Sequence, residues 1–346
     1  MTESLRIAQL APLAHPVVPN ASGSIEQLVY LLTEELVRRG HMVTLFAAGD
    51  SQTSAHLHAT YTRGYEHDGA LWNWEFHETL NAAAAFEQAD QFDVIHSHVY
   101  HSALPFTRLV RTPVVHTYHV MPDEDIVRAY ARYPEAQVVT MSRFQRSSFS
   151  ALRRVDVIPH GIDTAAFRFN AQPAGYLVFL GRLLPDKGAV EAIQAARRAR
   201  MRIVVAGPRE DDDYFHARLE PLIDGKQVQY VGAVDSRQRN ELLAGASALL
   251  YPNLEGEPFG LVMIEAMACG TPVVALAQGA VPEIIEPGKT GFIAQRESAL
   301  VGCIRKAVRL DRRMIRQEAV RRFDFSRMAD DYLTVYRRLA RKAARR

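Results

Sequence analysis

The chain has 346 residues, 48% apolar and 23% charged, a balance that excludes a disordered, collagenous or coiled-coil protein. Its 41 Lys/Arg against 39 Asp/Glu leave a formal charge of +2, too near neutral for a nucleic-acid binder. Two cysteines, Cys269 and Cys303, make neither a disulfide framework nor a metal-thiolate site, so a reducing cytoplasm is the expected compartment.

No segment reaches the ~20 apolar residues that span a bilayer, and residues 1–7 (MTESLRI) do not read as a signal peptide. Residues 6–13 (RIAQLAPL) read as a strand ending at a proline. Ile25, Leu28, Val29, Leu32 and Leu36 then recur on one helical face, Gly40 stands at the helix end, and residues 42–47 (MVTLFA) form the next strand. This βαβ unit implies parallel strands in an α/β layer fold. Further strands are predicted at 93–96, 113–116, 137–141 and 156–159. After the connector 170–175 (NAQPAG) the pattern restarts, with strands at 176–180, 202–206, 228–231, 248–251 and 272–276. Helices at 189–199 and 237–246 separate some of them. Two doubly wound domains follow, with a boundary near residue 172 and ligands expected beyond the carboxyl ends of the strands.

The loop 16–24 (PVVPNASGS) puts Gly23 and Ser24 at a helix N-terminus, either an anion or polar-ligand site or a loop capped by the serine. Twelve of thirteen histidines precede residue 161. His96, His98 and His101 stand near one predicted strand end, and His116 and His119 near another. His-x-His shares one strand face and is a metal spacing, so a metal hydrolase using His96 and His98 is one reading. Histidines hydrogen-bonded at a cleft rim, with one or two touching substrate, are the other.

In the second half a strand runs into GRLLPDKG, where Gly181 permits close approach and Arg182 and Lys187 bring two cations to a helix start, a combination that fits a diphosphate or, equally, a surface Arg–Asp–Lys loop. The stretch YPNLEGEPFGLVMIEAMACG is richer in signal. Glu257 and Glu265 frame seven residues, and the run 261–269 is apolar except for Glu265, a carboxylate that is costly without partners: it either serves a ligand, or is paired with a buried arginine or caps a loop. The amides of Phe259, Gly260 and Leu261 suit an anion, and the two acids suit sugar hydroxyls. Asp211, Asp212 and Asp213 resemble a metal motif but read better as an acidic loop with a helix N-cap.

The run EPFGLVMIEAMACGTPVVA, with GRLLPDKG, PHGID and EELVRRGHMVTLF, resembles the retaining glycosyltransferases of the GT4 type over nearly the full chain. That resemblance implies a GT-B fold, two Rossmann-like domains facing each other across a cleft. Residues 1–171 would be the acceptor-side domain, 172–325 the nucleotide-sugar donor domain, and 326–346 a helix crossing back to the first. It implies Arg182 and Lys187 on the donor diphosphate, Glu265 on the ribose, Glu257 on the sugar hydroxyls and Phe259, Gly260 and Leu261 at the donor phosphate and sugar. His119 would stand near the reacting sugar. Gly23 matches one glycine of a double-glycine loop, Ser24 replacing the other.

The reaction implied moves a hexose from a UDP- or GDP-hexose to an acceptor hydroxyl, with retention, no metal and no cofactor. An epimerase or phosphorylase on the same frame and a silent sugar-binding protein are the rivals. Trp72, Trp74 and Phe76 fit either an aromatic platform for the acceptor or ordinary core packing. From residue 305 onward fifteen Lys/Arg face five Asp/Glu. Met328, Tyr332, Val335, Tyr336 and Leu339 form an apolar stripe there, which favours packing on the first domain over peripheral contact with a membrane.

Overall fold

The computed structural model describes residues 4–19, 23–66 and 71–345. The chain divides into two compact units, Met1–Gly161 with Phe325–Arg346, and Ile162–Asp324. The division falls at Gly161 rather than at residue 171, because the intervening residues are bonded into the second unit. Ile162 N–H donates to Phe323 O (2.9 Å) and Arg168 N–H to Asn240 Oδ1 (2.9 Å).

Among the described residues the first unit holds seven strands: β1 Arg6–Leu10, β2 Met42–Phe46, β3 His56–His58, β4 Val94–Ser97, β5 Val114–Thr117, β6 Gln137–Thr140 and β7 Val155–Val157. They are parallel, in the order β3-β2-β1-β4-β5-β6-β7. The second unit holds β8 Tyr176–Leu180, β9 Arg202–Ala206, β10 Val228–Tyr230, β11 Ala248–Tyr251, β12 Val273–Leu276 and β13 Gly291–Ala294. These are also parallel, in the order β10-β9-β8-β11-β12-β13. Both are doubly wound, and strand order reverses between β1 and β4 and between β8 and β11. Helices leave the two faces of a sheet at such a point, so a crevice opens beyond the strand ends.

Local pattern accounts for most elements. The helix Ser24–Arg38 buries Leu28, Val29, Leu32 and Leu36, the predicted stripe. Three elements had no clear signature. β3 (HLH) is only three residues long, with no apolar alternation. The helix Trp74–Glu87 buries Asn81, Ala82, Ala85 and Phe86, a face of small side chains without a bulky stripe. β13 begins at Gly291, where a Cβ would lie 2.0 Å from Val273 O, so the close strand approach requires the residue that weakens the strand signal.

The last helix, Phe325–Ala344, belongs to the first unit although the second unit precedes it. Met328, Tyr332, Val335 and Tyr336 are buried in one core with Ile7, Leu28, Leu32, Val94 and Val115. Burying such side chains contributes roughly 1.5–3 kcal/mol each. Among the described residues no helix is long and apolar enough to cross a membrane.

Candidate active site

Two constellations stand at the strand reversals, one in each unit. In the second unit, β8 ends at Leu180 and the loop beyond it carries Arg182 and Lys187. Arg182 is exposed and its guanidinium meets Glu210 at 3.3 Å. Lys187 is mostly buried, 13% of its side chain remaining accessible, and bridges Asp186 (2.9 Å) and Glu257. Burial alone would lower its pKa, but the bonds to Glu257 and Asp186 win and hold the ammonium above its usual range. The hydroxyl of Tyr251, the last residue of β11, donates to the other oxygen of Glu257. Thus Lys187 and Glu257, given separate tasks on the donor by the resemblance, are bonded to each other here.

This corner depends on a close backbone approach. Leu254 N–H donates to Asp186 O (2.8 Å), and a Cβ on Gly188 (φ +75°) would lie 2.1 Å from Pro252 O. The helix Ala189–Ala199 starts from that left-handed glycine. Gly188→Ala is therefore expected to destabilise the chain by at least about 1–2 kcal/mol, read from denaturant midpoints. An unchanged midpoint would show that the two loops can separate freely.

Beyond β11, Phe259 is buried, and Gly260 (φ +99°) precedes the helix Leu261–Ala268. That helix buries Glu265, whose carboxyl meets Arg239 at 3.2 Å. Desolvation raises the Glu265 pKa, and the Arg239 charge works against it. The sequence supplied the acid but not its cation, twenty-six positions away on the helix Ser236–Gly245. Around Gly181 the nearest atoms to an added Cβ belong to the Phe179 ring, 3.8 Å away, so nothing in the protein presses on it. Asp211 caps the helix after the acidic loop, accepting from Tyr214 N–H at 2.8 Å.

In the first unit, His96 and His116 are the third residues of β4 and β5, inside the strands expected at 93–96 and 113–116, and each strand runs one residue beyond its histidine. His116 Nε2 meets Thr107 Oγ1 (2.9 Å), whereas a buried network joins His96 to Gln9, Thr117 and Tyr336. Gln9 Nε2 donates to the Tyr336 hydroxyl (3.2 Å), which meets His96 Nδ1 (2.5 Å), and His96 Nε2 meets Thr117 Oγ1 (2.7 Å). On its other side Gln9 Oε1 accepts from His98 Nε2 (3.0 Å), so neutral His98 has Nδ1 free to accept from His119 Nε2 (3.0 Å). His119 then carries its proton on Nε2, and its buried Nδ1 has no partner among the described residues. His160, of the PHGID run, stacks on His119 with ring centres 5.5 Å apart.

Burial pushes His119 down to about 3 and His116 to about 4, and holds His96, His98 and His160 well below the ordinary value. His119 is thus a neutral imidazole with one lone pair to offer. Both ring nitrogens of His96 and of His98 already have partners. Among the described residues no group of three or more His, Cys, Asp or Glu could hold a metal ion.

Residues 20–22 of the loop before the first helix lie outside the described residues. Gly23, not Ser24, is the N-cap, and it has no side chain to cap with. The Glu26 carboxylate sits against it, 1.9 Å from where a Cβ at 23 would be. A carboxylate of the chain itself therefore stands at the helix start that was expected to receive an anion or polar ligand. The three clustered aromatics are all exposed rather than packed in a core, Trp72 at 86%, and Trp74 also lies near Tyr65 with ring centres 5.9 Å apart.

Known proteins share this architecture. Residues 165–322 match the family described as Glycosyl transferases group 1, and residues 25–166 match Glycosyltransferase Family 4. The phosphatidyl-myo-inositol mannosyltransferase of Mycobacterium leprae is 25% identical over 371 residues, covering 97% of each chain. Among solved structures, AviGT4, a glycosyltransferase involved in Avilamycin A biosynthesis, matches with TM-score 0.74 and 26% identity over 97% of this chain and 98% of that one. Anabaena HepE in complex with UDP-glucose matches with TM-score 0.69 and 20% identity, over 99% of this chain and 100% of that one. Two parallel doubly wound units, two consecutive family matches and end-to-end likeness to such enzymes lead to one conclusion: the chain belongs to the GT4-type glycosyltransferases and has their GT-B fold of two Rossmann-like domains.

Proposed function

We propose that the chain transfers a hexose from a nucleoside diphosphate sugar to an acceptor hydroxyl, with retention at the anomeric carbon and without a metal. The observation that carries this reading is the Lys187–Glu257–Tyr251 corner beside the helix Leu261–Ala268 at the β8/β11 reversal. It pairs a half-buried cation, suited to a diphosphate, with a carboxylate suited to sugar hydroxyls. Glu265 with Arg239 would hold the ribose, and the amides at Phe259, Gly260 and Leu261 the phosphate and sugar. The UDP-glucose bound to HepE supports a donor of this class.

In the step itself the anomeric C–O bond to the diphosphate breaks and its electron pair leaves with the phosphate. The acceptor oxygen bonds from the same face, and its proton passes to the departing phosphate oxygen. Lys187 and Arg182 stabilise the charge that grows there, a task that needs no metal. Incubation with UDP-glucose or GDP-mannose and an acceptor panel, with and without EDTA, tests this by product configuration. An inverted anomeric centre, or activity abolished by EDTA and restored by a divalent ion, would overturn it.

His119 is assigned to the reacting sugar, its Nδ1 accepting from a sugar hydroxyl as positive charge develops on the ring. His119→Ala is expected to lower kcat by about 10- to 100-fold, as for one hydrogen bond to a charged group, with donor Kd nearly unchanged. An unaltered kcat moves the role to His160 or His98.

A further inference from the structure

Within the first unit a cavity of about 650 Å³ opens beside the start of the helix Ser24–Arg38. Its wall includes Glu26, Glu75, Glu78, Tyr65, Trp74 and Tyr100, and among the described residues no lysine or arginine lines it. The two histidines at its edge are His15, paired with Glu66, and His101. Glu78 is only 6% exposed. Its Oε1 accepts from Leu13 N–H (2.8 Å) and the Tyr65 hydroxyl (3.1 Å), whereas its buried Oε2 has no partner among the described residues. Glu26 accepts from its own N–H and that of His15, again without a cation.

Burial is the main reason both carboxyls are pushed up to about 7. For Glu26 the nearby Glu78 and Glu66 charges add to it. Elsewhere in this chain buried carboxylates have cations: Arg38 and Arg39 for Glu35, Arg239 for Glu265. Here none is supplied by the described residues, although leaving a buried carboxylate unpaired costs free energy. Tyr100, at the rim, holds a left-handed backbone (φ +47°), its carbonyl accepting from the Tyr130 hydroxyl at 3.0 Å. Trp74 and Tyr65 offer apolar ring faces on which the C–H face of a sugar or cyclitol can lie.

We propose that this cavity holds the acceptor, and that the acceptor is an amine-bearing polyol whose ammonium group is received between Glu78 and Glu26. The assignment rests on the transferase reading above and adds a substrate class to it. An ammonium donates three hydrogen bonds and brings the missing charge, whereas a neutral polyol would leave the two acids about half protonated at pH 7. Binding should therefore expel protons near neutral pH.

The test compares glucosamine, glucose and N-acetylglucosamine on the full chain by titration calorimetry at pH 7 in buffers of different ionisation enthalpy. Glucosamine is expected to bind about tenfold more tightly than the other two, with net proton release. Glu78→Gln, which keeps an oxygen for Leu13 N–H and Tyr65, is expected to remove that preference, and circular dichroism confirms the fold. Glu26→Gln is the second variant. Equal binding of the three sugars, no binding of any, or a preference that survives both substitutions would overturn the proposal. Donor binding is followed separately by thermal shift with UDP-glucose. A chain that binds donor but shows no amine preference sinks the acceptor class alone. One with the preference but no transfer sinks the transferase reading.

Discussion

Replacing Lys187 by alanine is expected to lower kcat by roughly 10²–10³, the loss of about 2.7–4 kcal/mol seen when one donor to developing charge is removed. The ammonium is held in place before donor arrives, between Asp186 and Glu257, so it need not reorganise as the sugar–phosphate bond breaks. Its partner charge grows along the reaction, which makes the effect larger on kcat than on donor affinity. Because Lys187 is mostly buried, its loss also leaves Glu257 and Asp186 without their cation, so the denaturant midpoint should fall as well. Arg182→Ala should cost less, since this exposed side chain is tied only loosely, at 3.3 Å, to Glu210. The double variant should fall short of the sum, both residues acting on one leaving group. Near-normal turnover in Lys187→Ala would remove it from the diphosphate site.

Acidification from pH 7 to pH 5 is expected to destabilise the chain by on the order of 5 kcal/mol. His96, His98, His116, His119 and His160 are buried neutral with depressed pKa values. The unfolded chain protonates them as the pH falls below ~6.5, whereas in the native chain His116 and His119 do so only at about 4 and about 3 and the other three well below the ordinary value, so stability is lost as the pH falls through ~6.5. Glu26 and Glu78 oppose this. Raised to about 7, they take protons in the native state before the unfolded chain does, and so stabilise it on the way down. Five histidines outweigh two glutamates, leaving a net uptake of about three protons on unfolding near pH 5.5. His41, depressed by burial and by the Arg337 and Arg39 charges, adds in the same direction. Urea midpoints measured between pH 5 and 7 check the slope. A flat or inverted profile would mean that the histidines protonate without unfolding.

Strong local periodicity was legible in full. The strands Tyr176–Leu180, Arg202–Ala206 and Ala248–Tyr251 and the helix Ala189–Ala199 occupy the residues their patterns indicate. So does the stripe Met328, Tyr332, Tyr336, because burial of one face must repeat at the helical period. Lys187 and Glu257 stand in stretches that join a strand to a helix, and Glu265 stands inside the helix Leu261–Ala268.

What surrounds those side chains was decided by tertiary structure. Tyr336 meets His96 from 240 positions away, and Gln9 meets Tyr336 from 327. Lys187 reaches Glu257 across 70. Such pairs are set by which strands lie side by side, and no spacing records them. The acidic cavity is the clearest case. Glu26 and Glu78 each occupy an unremarkable helical position in the sequence. Only the packing of the helices Ser24–Arg38 and Trp74–Glu87 on one sheet turns two ordinary glutamates into a buried, cation-free pair.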